Sequence, residues 1–409
     1  MILLILELFL LAIFGVFPIY LALLSILALL PYKPGKKLSP PKRSFAVVVP
    51  AHDEELVIGK TLESLFSLDY PRDQFEIIII ADNCTDQTAE ISRSLGATVF
   101  VRNNLTNTGK GFALRWCFDS LLNSSKHYDA VVVIDADCEV SRNTLAVLDS
   151  HLDRGARAVQ IADLVKPNPG AWNSEIVRLG FTLYNVVRPF GKRKIGCSVG
   201  LRGTGMCLST GVLRDIPWQA FSYAEDLEYG LNLLLKGVSV DFAPEARVVS
   251  SMPDKPKDSE TQRTRWESGR KPLVKFYAPK LLSSSFKKMS YPLFDAFLDL
   301  IIPPFVNLSV IIVFIILLHV ILAVSGLGSF GIYLWIWTGI FGAACIHALF
   351  GLLAAKADKF LYKSILYVPR YAVWKIGLYG KLIIHGGPNK WVRTKRELHD
   401  NKLEKEFGK

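Results

Sequence analysis

Cysteine is scarce and poorly placed for cross-linking: the six among 409 residues are Cys84, Cys117, Cys138, Cys197, Cys207 and Cys345. No two form a CxxC pair and none accompanies a histidine cluster, which argues against a zinc centre and a disulfide framework. The thiols next to motifs, at Cys84, Cys138 and Cys207, read as small buried side chains. Two glycine signatures are missing as well. Acids follow the first apolar strand where a dinucleotide-binding fold would carry GxGxxG, so ordinary NAD(P) or FAD binding is not expected, and no Walker pattern points to an ATPase. Charged residues make up only 21% of the chain against 50% hydrophobic ones. That balance is too apolar for a purely cytosolic protein and too charged for a bare bundle of spans. A soluble domain joined to membrane segments satisfies both, and the long Val/Ile/Leu runs exclude disorder.

Basic residues outnumber acidic ones, 48 to 37, giving a net charge of +11. Position decides what the excess is for. Residues 2–30 are apolar apart from Glu7, and a span needs roughly 20 such residues. No basic segment precedes the run, and Pro31-Tyr32-Lys33 follows it instead of a small-residue cleavage site, so an uncleaved anchor over 1–31 is expected. Leu300 to Val324 and Phe330 to Ala354, joined by Ser325-Gly-Leu-Gly-Ser329, read as a membrane hairpin within 298–355. Lys33, Lys36, Lys37, Lys42 and Arg43 follow the first run, and Lys356, Lys359 and Lys363 follow the third, while the turn at 325–329 has no basic residue. The rule that basic flanks stay inside then puts the central region in the cytoplasm, in a multi-pass protein of the inner or plasma membrane. Residues 272–292 and 361–409 read as interfacial helices with a basic tail. The excess charge thus lies beside membrane segments, which favours anionic lipid over nucleic acid.

From Phe45 the pattern changes. Short unbroken apolar runs at Phe45-Ala-Val-Val-Val49, Phe75-Glu-Ile-Ile-Ile-Ile80, Thr98-Val-Phe-Val101 and Ala130-Val-Val-Val-Ile134 alternate with helical patterns near 55–68, 85–95, 109–123 and 141–154. Such strands imply a parallel sheet covered on both faces, hence an α/β class with a mostly parallel, Rossmann-like sheet. Ligands bind such sheets outside the carboxyl ends of the strands. Those ends read Pro50-Ala-His-Asp-Glu-Glu55, Ala81-Asp-Asn-Cys-Thr-Asp86 and Asp135-Ala-Asp137. At a strand end with a one-residue gap, Asp135 and Asp137 can converge on one Mg²⁺ or Mn²⁺ and a diphosphate beside it, since these hard ions keep positions for phosphate oxygens. Asp82 and Asn83 suit a base or ribose, or else their neighbours Thr85 and Asp86 cap a helix. Asn107-Thr-Gly-Lys-Gly111 places Lys110 in a turn opening a helix, where it can meet phosphate.

With Ala224-Glu-Asp-Leu-Glu228 and Gln262-Arg-Thr-Arg-Trp266 added, the chain resembles the membrane-bound family 2 glycosyltransferases, the group of cellulose, chitin and hyaluronan synthases and ceramide glucosyltransferase. The match runs over roughly 44–271 and extends to the membrane layout. The resemblance implies a GT-A fold, a nucleotide-sugar donor and inversion at the anomeric carbon. By the same resemblance Pro50, Ala51, His52 and Glu54 contact the nucleotide and Asp82 reads a uracil ring, which favours a UDP-sugar. Lys110 is expected near the diphosphate, and Asp135 and Asp137 form the metal motif, with Asp137 the direct ligand. Asp226 matches the general base, while Gln262, Arg265 and Trp266 line the donor diphosphate and the acceptor mouth. Gly203, Thr204 and Gly205 lie beneath the acceptor sugar, with Glu225 beside them. The competing local readings are Glu225-Asp226 as a helix cap and Trp266 as an interfacial anchor.

A site held against the cytoplasmic leaflet suggests an acceptor in the membrane: a lipid or lipid-linked oligosaccharide in polysaccharide or glycolipid assembly. A processive polysaccharide synthase, working through a homo-oligomer or an export partner, is the alternative, and a catalytically inactive scaffold of an assembly complex is another. Three spans are few for one chain to enclose a polysaccharide channel.

Overall fold

The computed structural model describes residues 2–31, 40–168, 171–252, 256–325 and 331–385. Side chains at 2–3, 256–263, 265–267, 379 and 381–385 are outside that description. Eight strands, β1 (Phe45–Ala51), β2 (Phe75–Asp82), β3 (Thr98–Arg102), β4 (Ala130–Val133), β5 (Cys138–Val140), β6 (Ala158–Val165), β7 (Met206–Ser209) and β8 (Val240–Ser250), form one sheet in the order 3-2-1-4-7-6-8-5.

The half built from β3, β2, β1 and β4 is wholly parallel. Parallel neighbours need crossovers, and the helices Ile58–Phe66, Thr88–Ser94 and Lys110–Leu122 provide them. Period-2 alternation splits each strand between two cores: Val47, Val49, Ile77 and Ile79 face one, Ala46, Val48, Ile78 and Ile80 the other. This is the mostly parallel α/β sheet expected of a GT-A domain. Sequence reasoning named the first four apolar strands but not β5, β6, β7 and β8. β7 runs antiparallel to β4 with Val133 opposite Met206, so the chain entering β7 arrives at the carboxyl end of β4. That reversal carries residues 200–205 to Asp135.

Among the described residues three helices are long and apolar enough to cross a membrane: Leu4–Leu29, Phe305–Val324 and Gly331–Ala354. The one charged residue of the first, Glu7, accepts from Trp337 Nε1 at 2.5 Å and lies 3.2 Å from His319 Nε2. The helix Pro256–Lys287 carries positions 262–266 and continues through Pro272 and Pro279, so the stretch read as a separate interfacial helix from 272 is the second half of one element. A proline removes one donor, but Leu273, Tyr277, Ala278 and Leu281 pack that half on Leu231 and Leu234 of the helix Glu225–Leu235 and hold it helical.

The first span also touches the soluble domain directly. At Gly191, in the helix Arg188–Lys194, a Cβ would fall 2.4 Å from the Leu24 carbonyl oxygen and 2.8 Å from its Cα. Backbone meets backbone there, so Gly191→Ala is expected to force the two apart and cost about 1–3 kcal/mol, the usual range for overpacking. Thermal unfolding of the detergent-solubilised chain checks this, and an unchanged melting temperature would refute it.

Candidate active site

The carboxyl ends of β1, β2 and β4 open on one side of the sheet. Beyond β1, which ends at Pro50-Ala51, His52 Nδ1 donates to the Asp82 carbonyl at 2.7 Å and the Glu54 N–H donates to Thr88 Oγ1 at 2.7 Å. These bonds tie the first strand's exit to the second's. Asp82, buried at the end of β2, accepts from Arg102 Nη1 at 2.5 Å and from Asn83 Nδ2 at 3.2 Å. Burial lifts its carboxyl above the ordinary aspartate range against the pull of Arg102. Arg102 Nη2 donates in turn to the Asn107 carbonyl at 2.7 Å, which joins the acid of β2 to the turn leading into Lys110. Asp53, Cys84 and Asp86 also converge here, yet the Thr85 and Glu55 N–H groups already occupy the two carboxylates.

Lys110 begins its helix after Gly109. Its Nζ donates to Asp135 Oδ1 and to the Gly203 carbonyl, each at 2.6 Å, and lies 3.5 Å from Glu225 Oε1. Burial alone would lower its pKa, but Asp135 and Glu225 outweigh that and hold it above the ordinary lysine value. One ammonium thus bridges Asp135, the loop before β7 and the helix Glu225–Leu235. Gly203 has φ +84° and a Cβ there would sit 3.5 Å from Asp226 Oδ2, so the loop backbone runs directly against the carboxylate expected to act as base. Thr204 Oγ1 accepts from the Asp135 N–H at 3.1 Å, and the Gly205 N–H donates to the Val133 carbonyl at 2.9 Å.

The loop N–H groups of Phe221 and Ser222 donate to Glu228 Oε2 at 3.2 and 3.1 Å, and Ala224 holds the cap position. Glu225 and Asp226 lie in the first turn of that helix, where the Leu227 N–H bonds Asp226, and both also face Lys110. Burial raises both carboxyls, Glu225 to about 7, and Lys110 is the strongest force in the opposite direction. Gln262, Arg265 and Trp266 lie on the helix Pro256–Lys287, but their side chains fall outside the described residues. Cys138 and Cys207 are buried; Cys84 is half-exposed, which corrects its reading as a buried thiol, because the turn after β2 lies at the rim of the site.

Two residues of the site were missed in the sequence. Gln160 is fully buried, donates to the Thr204 carbonyl at 2.8 Å and accepts the Arg202 N–H at 2.9 Å, fixing the loop. Asp163 accepts from Asn185 Nδ2 at 2.8 Å, and its other oxygen, Oδ1, is buried with no hydrogen-bond partner. Burial, then Asp135 and Asp137, push the Asp163 carboxyl well above its ordinary range. The available signal was two polar residues inside the apolar run of β6.

A family model described as "Glycosyltransferase like family 2" matches residues 40–269, and the chain belongs to that family. The probable glycosyltransferase YdaM of Bacillus subtilis is 26% identical over 262 residues, 62% of this chain and 61% of that protein. A beta-monoglucosyldiacylglycerol synthase of Synechocystis is 35% identical over 120 residues, 28% of this chain and 24% of that protein. The chain thus matches less than two thirds of either relative's length. Among solved structures, the mannosyltransferase PcManGT of Pyrobaculum calidifontis, in complex with GDP-Man and Mn²⁺, aligns over 82% of this chain and 99% of that one, at 18% identity and a TM-score of 0.47.

Burial raises the Asp226 carboxyl, which is protonated as pH falls through its pKa, so donor turnover is expected to decline on the acid side of the profile. In Lys110→Met the cation that opposes burial is gone, so the same decline should begin at higher pH. A pH series of nucleotide release by the two proteins checks the sign; a limb that stays put or moves to lower pH would refute it.

Proposed function

We propose that this family 2 glycosyltransferase moves a sugar from a nucleotide sugar, a UDP-sugar by preference, to a lipid or lipid-linked glycan at the cytoplasmic face of the membrane, with inversion. The supporting observation is the Lys110 bridge. It brings the DxD acid Asp135 and the Glu225-Asp226 pair to one point, beside helices able to span a bilayer.

A sugar hydroxyl is a weak nucleophile, so a carboxylate has to take its proton as the oxygen attacks the anomeric carbon. Asp226 is the group for this: it lies against the Gly203 backbone, and burial raises its affinity for a proton. Attack from the side of Asp226 with departure of the diphosphate on the opposite side is a single displacement, hence inversion. Asp135 and Asp137 would hold a divalent cation, with Asp163 behind them. The buried, unpartnered Asp163 oxygen and its raised carboxyl mark a local excess of negative charge, which fits such an ion. When bound, the ion supplies charge neutralisation to the leaving diphosphate. Lys110 meanwhile fixes Asp135 and the Gly203 loop in place.

The lipid acceptor draws support from the three apolar helices and from a relative named as a glucosyldiacylglycerol synthase. Pro50, Ala51, His52, Glu54 and Asp82 stand at the strand ends where the nucleotide belongs, and Arg265 and Trp266 on the helix expected to cover the diphosphate.

The test is UDP release by the purified full chain in lipid nanodiscs with Mn²⁺ or Mg²⁺, across UDP-glucose, UDP-GlcNAc, UDP-galactose and UDP-glucuronate. One donor should be consumed only with metal present. Asp226→Asn should lower its turnover by about 10²–10⁴, the range for losing a general base, while donor affinity is kept. Turnover in Asp226→Asn equal to that of the unaltered protein would overturn the assignment of the base, and silence from all four donors would overturn the UDP-sugar reading.

A further inference from the structure

The loop between the helices Thr210–Asp215 and Glu225–Leu235 is fixed along its length. The Tyr229 hydroxyl donates to the Ile216 carbonyl at 2.6 Å, and Arg115 Nη1 donates to the Trp218 carbonyl at 2.9 Å. Trp218 is buried with its ring 4.5 Å from that of Tyr229, and its Nε1 donates to the Ala220 carbonyl at 3.1 Å. Glu228 accepts the next two N–H groups, those of Phe221 and Ser222. At Gly111, next to Lys110, a Cβ would fall 2.3 Å from the Ala220 carbonyl oxygen and 3.2 Å from Phe221 Cα. At Gly269, on the helix that carries positions 262–266, a Cβ would fall 3.0 Å from Tyr223 Cβ. Contacts this close on both flanks hold the loop against the helix of Lys110 on one side and the helix Pro256–Lys287 on the other.

What this fixed loop presents is aromatic and open. Phe221 is 43% exposed and Tyr223 47%. The Phe221 ring lies on that of Phe112, with centroids 4.3 Å apart and planes 14° from parallel, so the pair forms one flat plate in a single orientation. Half-exposed rings contribute only part of their area to folding, whereas rings already held in place spare a ligand the cost of ordering them. Phe221 and Tyr223 stand five and three residues ahead of Asp226 in the chain. A lipid tail needs apolar area but no particular ring orientation. A pyranose ring has a flat face of C–H groups, which the negative face of an aromatic ring attracts. The nucleotide base is expected elsewhere, at Asp82 on β2, which β1 and β4 separate from β7. The donor's own sugar is held through its diphosphate beside Asp135, so the rings ahead of Asp226 are left to the acceptor.

We infer that the Phe112–Phe221 stack and the Tyr223 ring form a platform for a sugar ring of the acceptor, so that the acceptor is a lipid already bearing a sugar and not a bare lipid. The inference rests on the reading of the chain as a lipid-directed glycosyltransferase and narrows its acceptor class.

Its test reads lipid retention and needs no turnover. The full chain, in micelles of the sugar-free detergent lauryl dimethylamine oxide, is given equal amounts of dioleoylglycerol and of its β-glucosyl and β-galactosyl derivatives, which share their tails. The lipid that stays bound is counted by native mass spectrometry. At least one glycosylated lipid should be retained about tenfold over dioleoylglycerol, equivalent to one decade in Kd. Phe221→Ala and Tyr223→Ala should each remove most of that preference, while Phe221→Trp, which keeps a flat ring, preserves it. If Phe221→Ala does not fold, Tyr223→Ala is read in its place. Equal retention of the three lipids, or a preference unchanged in the alanine variants, would overturn the inference. Loss of all three lipids together in those variants would overturn the sugar assignment in favour of an apolar contact with the tails. Failure of donor turnover in the unaltered protein would instead refute the transferase reading, and the retention result would stand apart from it.

Discussion

Everything at the site depends on one half-buried ammonium. Lys110 stands where an acid from β4, a loop carbonyl ahead of β7 and the first turn of a helix meet. Without a cation at that point the carboxyls of Asp135, Glu225 and Asp226 would repel one another where solvent screening is reduced, and the sheet's carboxyl edge would spread. The positive charge can reside there because three separate segments contribute the negative partners. The bond to Gly203 adds direction: it fixes a glycine whose backbone lies against Asp226, so the same side chain that stabilises the acids also sets the position of the proposed base.

The sequence made the parallel half of the sheet legible because unbroken β-branched runs leave few alternatives. Phe45, Phe75, Thr98 and Ala130 each begin the strand expected of them, and the acids that follow sit at strand ends as sheet topology requires. What was not legible lies in long-range pairing. β6 mixes Gln160 and Asp163 into an apolar run, and neither residue has a motif that announces it. Their place beside the Gly203 loop and the DxD acids comes only from β7 running antiparallel between β4 and β6. Likewise Lys110 was visible as a lysine opening a helix, which suggested phosphate; its bonds to Asp135 and Gly203 span separations of 25 and 93 residues, beyond the reach of local pattern. The start read at 272 for a separate interfacial helix was likewise a local reading: packing on Leu231 and Leu234 carries the helix Pro256–Lys287 past Pro272.

The junction between soluble domain and membrane helices is built from polar contacts and close backbone approach, not from a flexible tether. Tyr20 in the first span donates to Asp295, Lys192 reaches Asp295 and Asp299, and Arg270 closes the end of the same short helix. Gly191 permits the Arg188–Lys194 helix to rest on Leu24 with no side chain between them. The span is in effect one wall of the domain that holds Asp226.

That arrangement makes the enzyme sensitive to the bilayer as a material. A helix in a membrane of altered thickness relieves hydrophobic mismatch by tilting, and a span joined to its domain by a loose linker could tilt unnoticed. Here the contact at Leu24 offers no slack, so a change in tilt is carried into the Arg188–Lys194 helix and from there, through Lys192, to Asp295 and Asp299. The thickness of the lipid around the chain is thereby written into the geometry of its cleft.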